Sequence, residues 1–262
     1  TVDGTMCTGG AVCIMMMLSG HNVWISMLAA TLAGMLAGLV TGIFHTFMGI
    51  PAILAGILTQ LSLYSVNLKI MGKANQAINV DKYNLLVSLR HIKNASLSKN
   101  TIFIVAVMCI LLIAILYWFF GTEIGCALRA TGNNEFMVRA LGGNTDTSKV
   151  LGLVISNGLI SVSGALVAQN QGYGDIKMGT GSIVIGLASI VIGEVIFGKR
   201  FNFAYILASL IGGAMVYRMI ISLVLHFGLS TDDMKLFTAI IVALALGIPA
   251  LKSKYSHRRT PA

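Results

Sequence analysis

Five side chains carry charge or an amide within or beside long apolar runs: Asn157, Gln169, Asp175, Glu194 and Arg218. Burying a charge or an unpaired amide in hydrocarbon costs several kcal/mol, so such groups are either satisfied inside the protein or placed on a route for a polar solute or ion. Intramembrane carboxylates often hold protons or sodium, which makes Glu194 and Asp175 the candidates for ion coupling. Glu194 and Arg218 look like a natural ion pair, yet at 1.5 Å per residue their places in consecutive runs lie roughly 18 Å apart along the membrane normal. Arg218 then needs another partner, such as Asp175 or helix-end carbonyls. Catalytic and metal-binding constellations are not readable: the histidines at 21, 45, 91, 226 and 257 are scattered, and no HExxH or Ser/His/Asp grouping occurs. Cys7, Cys13, Cys109 and Cys126 lack CxxC or Cys/His spacing and read as reduced packing residues.

The elements that must hold these residues follow from composition. Hydrophobic residues make up 56% of the 262 and charged ones 10%, too few to clothe a water-facing surface. A soluble bundle is excluded on that ground. The formal charge of +9 does not point to nucleic acid, because Lys and Arg cluster between and after the apolar runs instead of forming one basic module.

Runs long enough to cross ~30 Å of hydrocarbon need roughly 20 residues. They lie near Met6–Leu18, Val23–Phe47, Ile50–Val66, Thr101–Phe120, Lys149–Ala168, Ser182–Phe197, Phe203–Phe227 and Met234–Leu251. Their continuity argues for helices, since barrel strands would alternate polar and apolar residues. The expected fold is therefore all-α, a polytopic transmembrane helical bundle of about seven or eight helices forming a single domain over residues 1–262. The chain starts at Thr1 without methionine or a signal peptide, so an upstream piece of one or two helices is expected.

Loop charge sets orientation. Lys199 and Arg200 in one loop, and Lys252, Lys254, Arg258 and Arg259 in the tail, contrast with Asp232 and Asp233 in the last hairpin. The tail 252–262 reads as cytoplasmic. Counting back places 121–148 on the same side and 67–100 and 170–181 outside, although 67–100 is itself basic.

Small residues and glycine-broken segments complete the pattern. Gly34, Gly38 and Gly42 share one helix face, which should touch another helix. The stretch "QNQGYGDIKMGTG", Gln169–Gly181, is either an ordinary outer turn or non-helical backbone dipping inward to line a cavity. "TVDGTMCTG" at the start, with Asp3 and Gly4, has a similar character; broken helices of this kind turn their N-termini toward a ligand. The bets for a translocation path are Asp3 with Gly4, Asn157, Gln169 and Asp175. In "TGNNEFMVRALGGNTD", Asn133 or Asn134 can cap a short helix, Glu135 favours its first turn, Phe136, Met137, Val138, Arg139, Ala140 and Leu141 make two turns, and Gly142-Gly143 ends it. So short a helix is marginal alone and must pack on its own bundle or in a partner's groove.

The segment "GCALRATGNNEFMVRALGGNTDTSKVLGLVISNGLISVSGALVAQNQGYGDIKMGTGSIVIGLASIVIGEVIFGKR" resembles the most recognisable stretch of a known family, the membrane subunits of bacterial ABC importers of the branched-chain amino acid and ribose type. Within that family the chain more closely resembles tryptophan/tyrosine importer permeases, and "TVDGT" is similar to their "LTVDGS" element. The resemblance implies a multi-pass protein of the bacterial plasma (inner) membrane, an extracytoplasmic solute-binding protein, a homodimer within the lipid bilayer, and cytoplasmic ABC ATPase subunits that hold ATP and Mg. It also implies that Asn133–Leu141 with Gly142 is similar to the coupling helix that docks on the ATPase. No GxxxxGK[ST] phosphate loop occurs in this chain, so ATP hydrolysis is expected elsewhere. An ion-coupled secondary transporter working without an ATPase is the alternative reading.

Overall fold

A computed structural model describes residues 1–79, 83, 85–87, 101–197 and 203–226. The run Met234–Leu251, the tail 252–262, the Gly198–Asn202 loop and half of the basic 67–100 segment lie outside the described residues. Five described helices are long and apolar enough to cross a membrane. The described chain divides into two compact units, Thr1–Thr180 and the part from Gly181 onward.

In the first unit, α1 (Val2–Leu18) is surrounded by α2 (Val23–Thr46), α3 (Ala52–Met71) and α7 (Thr145–Gln171). Contacts fix the directions. Thr5 meets Asn157, Gly10 meets Ala168 and Cys13 meets Gln169, so α1 runs parallel to α7 and packs along its second half. On α2, Gly34, Gly38 and Gly42 meet α7 at Asn157, Leu153 and Val150 in turn, so these two run antiparallel. The expected helix partner of the glycine face is thus α7 of the same chain. A β-carbon added at Gly34 would stand 2.6 Å from the Asn157 carbonyl oxygen, which is why only glycine lets the two backbones approach this closely. Ser161 of α7 fills the gap between α1 and α2 and donates its hydroxyl to the Ala30 carbonyl at 2.5 Å.

Helix ends follow local chemistry. Gly72 and Gly172, with φ of 69° and 76°, terminate α3 and α7 in the left-handed conformation that glycine adopts without strain. Beyond those two ends, β1 (Asn75–Ala77) and β2 (Tyr173–Asp175) pair antiparallel in the register Gln76↔Gly174. This ribbon closes one end of the unit, while α5 (Glu123–Asn133) and α6 (Glu135–Ala140), reached through α4 (Thr101–Gly121), sit at the end where α7 begins.

After β2 the chain turns back along α1. Gly174 lies against Ile14, Ile176 accepts a bond from the Cys7 thiol at 2.9 Å, and Gly179 is pressed on the Asp3 main chain. From Ile14 to Asp3 the descent covers about 16 Å at 1.5 Å per residue, half a bilayer's hydrocarbon. Of the two readings of Gln169–Gly181, the inward one describes this path. Its amides are accounted for: Ile176 N–H to Ala74 O, Lys177 N–H to the Asp175 carboxylate, Met178 N–H to Asp175 O, Gly179 N–H to Cys7 Sγ and Thr180 N–H to Lys177 O. Non-helical backbone survives at this depth only because protein meets each donor.

The second unit, described by itself, pairs α8 (Ser182–Phe197) with α9 (Phe203–His226) in antiparallel fashion. Gly213 packs on Ser189 and Gly193 on Ser209, and Tyr217 is buried beside Ala188 and Ile192.

Candidate functional site

The polar stretch between α5 and α7 forms a compact electrostatic knot. Thr122 caps α5 by accepting from Gly125 N–H at 3.3 Å. Asn133 is the last residue of α5, and Asn134, with an extended backbone, caps α6 by accepting from Met137 N–H at 3.1 Å. Gly142, at φ 82°, lets the Gly143 N–H turn back to the Val138 carbonyl at 2.9 Å and ends α6. Asn144 then accepts from Asp146 and Thr147 N–H to start α7.

One face of α6 is tied to α7 by side chains. Lys149 Nζ donates to Glu135 Oε1 at 2.7 Å, and Arg139 Nη2 bridges Glu135 and Asp146 at 3.0 Å each. Arg139 Nε also donates to the buried Thr145 hydroxyl at 2.7 Å. The Lys149 hydrogen bond, followed by the charges of Lys149 and Arg139, holds the Glu135 carboxyl below its ordinary range. Val138 is buried with this face, whereas Phe136, Met137 and Leu141 are bare, Phe136 at 85% and Leu141 at 79% exposure. Ala140 and Gly142 lie on the exposed surface as well. Glu135 and Arg139 therefore turn toward their own unit, and the outward surface of α6 is apolar.

A second group of polar side chains lies along α1, from its contact with Asn157 up to the β-ribbon. Asn157 is buried, accepts the Thr5 hydroxyl at 2.8 Å and donates to the Leu153 carbonyl at 2.9 Å. Gln169, also buried, accepts from Leu86 N–H and donates to the sulfurs of Cys13 and Met27. Both amides join helices, so each is satisfied within the fold. Asp175 is half-buried at the end of β2, taking Asn75 Nδ2 at 3.3 Å and Lys177 N–H at 2.6 Å. Asp3 is half-buried in the first turn of α1, and Gly4 next to it allows α1 to approach Gln60 and Leu63 of α3. Of the path residues chosen from sequence, Asp3, Gly4 and Asn157 come together at one depth; Gln169 and Asp175 lie nearer the β-ribbon. In the second unit Glu194 is half-buried on α8 and Arg218 exposed on α9, and no ion pair joins these two described residues.

Residues that sequence reasoning passed over complete both places. Thr145, Asp146 and Lys149 hold α6, and a short-range signal for them exists in the spacing from Glu135 and Arg139 across the Gly-Gly turn. Asn67 of α3 is 1% exposed, donates to the Gly4 carbonyl at 3.4 Å and leaves its own Oδ1 without a donor among the described residues. Gln60 is an exposed amide in the middle of α3. Both read as ordinary polar residues of an apolar run until Gly4 of α1 is placed beside them.

Comparison with known proteins bears on the whole chain. A family described as the permease component of the branched-chain amino acid transport system matches residues 1–251. The chain belongs to this permease family. It is 37% identical to a tyrosine transport system permease protein of Clostridioides difficile over 243 residues, 92% of this chain and 78% of that one. It is 33% identical to an uncharacterized protein of Rickettsia prowazekii, covering 94% of this chain and 85% of the relative. An autoinducer 2 import system permease protein of Yersinia pseudotuberculosis is 29% identical over 158 residues, 59% of this chain and 42% of that one. No solved structure matches the permease. It is an ABC-type transport subunit and a multi-pass membrane protein.

Proposed function

We propose that this permease moves an amino acid or related small metabolite through a homodimer, taking the solute from an extracytoplasmic binding protein and drawing work from cytoplasmic ATPase subunits that bind ATP and Mg. The carrying observation is the two-sidedness of α6. A six-residue helix has too few internal bonds to persist in water. Its charged side is clamped to the start of α7, and its other side offers Phe136, Met137 and Leu141 to solvent, the pattern of a helix laid in a partner's groove. Force applied to α6 passes through Lys149, Thr145 and Asp146 into α7, and from Asn157 to Thr5 at the start of α1. An amino acid as cargo is supported by the likeness to the tyrosine transport system permease protein of Clostridioides difficile.

The test is the Phe136→Ser/Leu141→Ser pair in the permease co-expressed with an ABC ATPase subunit that co-purifies with the unaltered permease. Loss of ATPase co-purification, with unchanged membrane insertion and yield, is the expected result. Retained co-purification with full solute-stimulated hydrolysis would remove the coupling role from α6.

A further inference from the structure

Gln60 occupies a position that lipid does not tolerate. It is eight residues from the start of α3 and eleven from its end, so at 1.5 Å per residue its Cα is about 12 Å or more from either terminus. Its side chain is exposed and makes no hydrogen bond to any described residue. The exposed neighbours Ile53, Ile57 and Leu61 are aliphatic, and the polar groups that share this face of α3 are the Tyr64 hydroxyl one turn on and the buried Asn67 two turns on. A long basic side chain near a helix end, such as Lys69, can extend its charge to the interface; a glutamine at mid-helix is too short for that. An amide left in hydrocarbon without a partner costs several kcal/mol.

What stands beside Gln60 is the first turn of α1. A β-carbon added at Gly4 would lie 3.3 Å from Gln60 Cα, so the two backbones nearly touch, and half-buried Asp3 is the neighbour of Gly4. The descending 174–179 segment ends against Asp3 at the same level. Asp3 and the end of that segment, Gly179 and Thr180, thus bring polar groups and main chain to the side of α1 and α3 on which Gln60 lies.

We propose that Gln60 lines the water-filled solute passage of the permease and binds the polar part of the solute as it crosses, an amide being able both to donate and to accept. This deepens, and rests on, the assignment of Asp3 and Gly4 to the translocation path. The assignment predicts that a thiol placed at position 60 meets water, whereas one placed at 53 or 61 meets lipid.

The experiment uses the assembled transporter with Cys109 and Cys126 replaced by alanine and with Gln60→Cys, Ile53→Cys or Leu61→Cys introduced singly. The thiolate, which forms in water and not in hydrocarbon, attacks the sulfenyl sulfur of a charged methanethiosulfonate and displaces methanesulfinate, so Gln60→Cys should react about tenfold faster than either neighbour, or more. Equal, slow rates at all three positions would overturn the proposal. So would a spontaneous disulfide joining two copies of the Gln60→Cys variant without reagent access, since a second copy would then cover the residue. In transport by the same complex, Gln60→Leu should raise KM for L-tyrosine, used as the probe solute, several-fold or abolish its uptake; unchanged KM and rate would overturn the solute contact. Failure of the α6 variants with a reactive thiol at position 60 would refute the coupling role alone; an unreactive thiol there with working α6 variants would refute the passage assignment alone.

Discussion

Gly38→Ala is the most direct probe of what holds the first unit together. A methyl added there would sit 2.9 Å from Val154 Cα and closer still to the Leu153 carbonyl oxygen. Comfortable carbon–carbon contact is about 3.5–4.0 Å, so α2 and α7 would have to part by roughly 0.6–1 Å. Both obstacles are main-chain atoms, which no rotamer change can move. Overpacking of this kind costs about 1–3 kcal/mol, and alanine's better helix propensity returns up to about 1 kcal/mol. A net loss of about 1–2 kcal/mol is expected, roughly a 5- to 30-fold fall in the folded-to-unfolded ratio. Gly42→Ala is the internal control: its methyl would meet the two Val150 methyls at 3.1 Å and Val150 Cα at 3.2 Å, each needing to give by only a few tenths of an ångström. Unfolding of the purified permease by SDS in mixed micelles, followed through Trp24 on α2, measures both. Equal midpoints for Gly38→Ala and Gly42→Ala would refute the claim that main-chain contact at Gly38 sets the α2–α7 distance.

Further outcomes follow from the same contacts. Thr5→Val leaves the buried Asn157 Oδ1 without its donor, and a double-mutant cycle with Asn157→Leu should yield a coupling of about 0.5–1.5 kcal/mol in the same micelle assay; strict additivity would contradict the bond. Because Lys149 lowers the Glu135 pKa in the folded state, the clamp is fully present above the unfolded value near 4.5 and is lost as pH falls through the lower folded value. A nitroxide at Ala140→Cys, in the background lacking Cys109 and Cys126, should be ordered at about pH 6 and mobile once pH drops well below 4.5. Glu135→Gln should be mobile at both, and a pH-independent wild-type spectrum would count against the clamp. Gly179→Ala drives a methyl into the Asp3 main chain and should cut uptake and stability together, whereas Gly186→Ala, with nothing within 4 Å, should change neither within its own unit.

Local chemistry in the sequence determined the helices and several of their ends. Apolar runs of membrane length, the capping choice at Asn134, the Gly-Gly stop after Leu141 and the close-packing face of Gly34, Gly38 and Gly42 all rest on interactions within a few residues or on a single helix face. Even so, α3 extends to Met71 and α7 from Thr145 to Gln171, past the ends drawn from hydropathy, because hydropathy marks where lipid stops and the backbone bonds continue beyond it.

Only the tertiary structure decided which polar groups are spent on the fold. Asn157 and Gln169 look like path residues in one dimension and become interhelical ties once Thr5, Cys13 and Met27 stand beside them. Glu135 and Arg139 turn inward to Lys149 and Asp146, leaving the apolar residues of α6 outward, and Gln60 gains meaning only because Asp3 and Gly4 of α1 pack beside it. The physical reason is the solvent. In water a helix advertises its buried face by being polar on the other side, but in lipid both faces are apolar, so sequence periodicity carries little record of which face meets a neighbour and which meets the membrane.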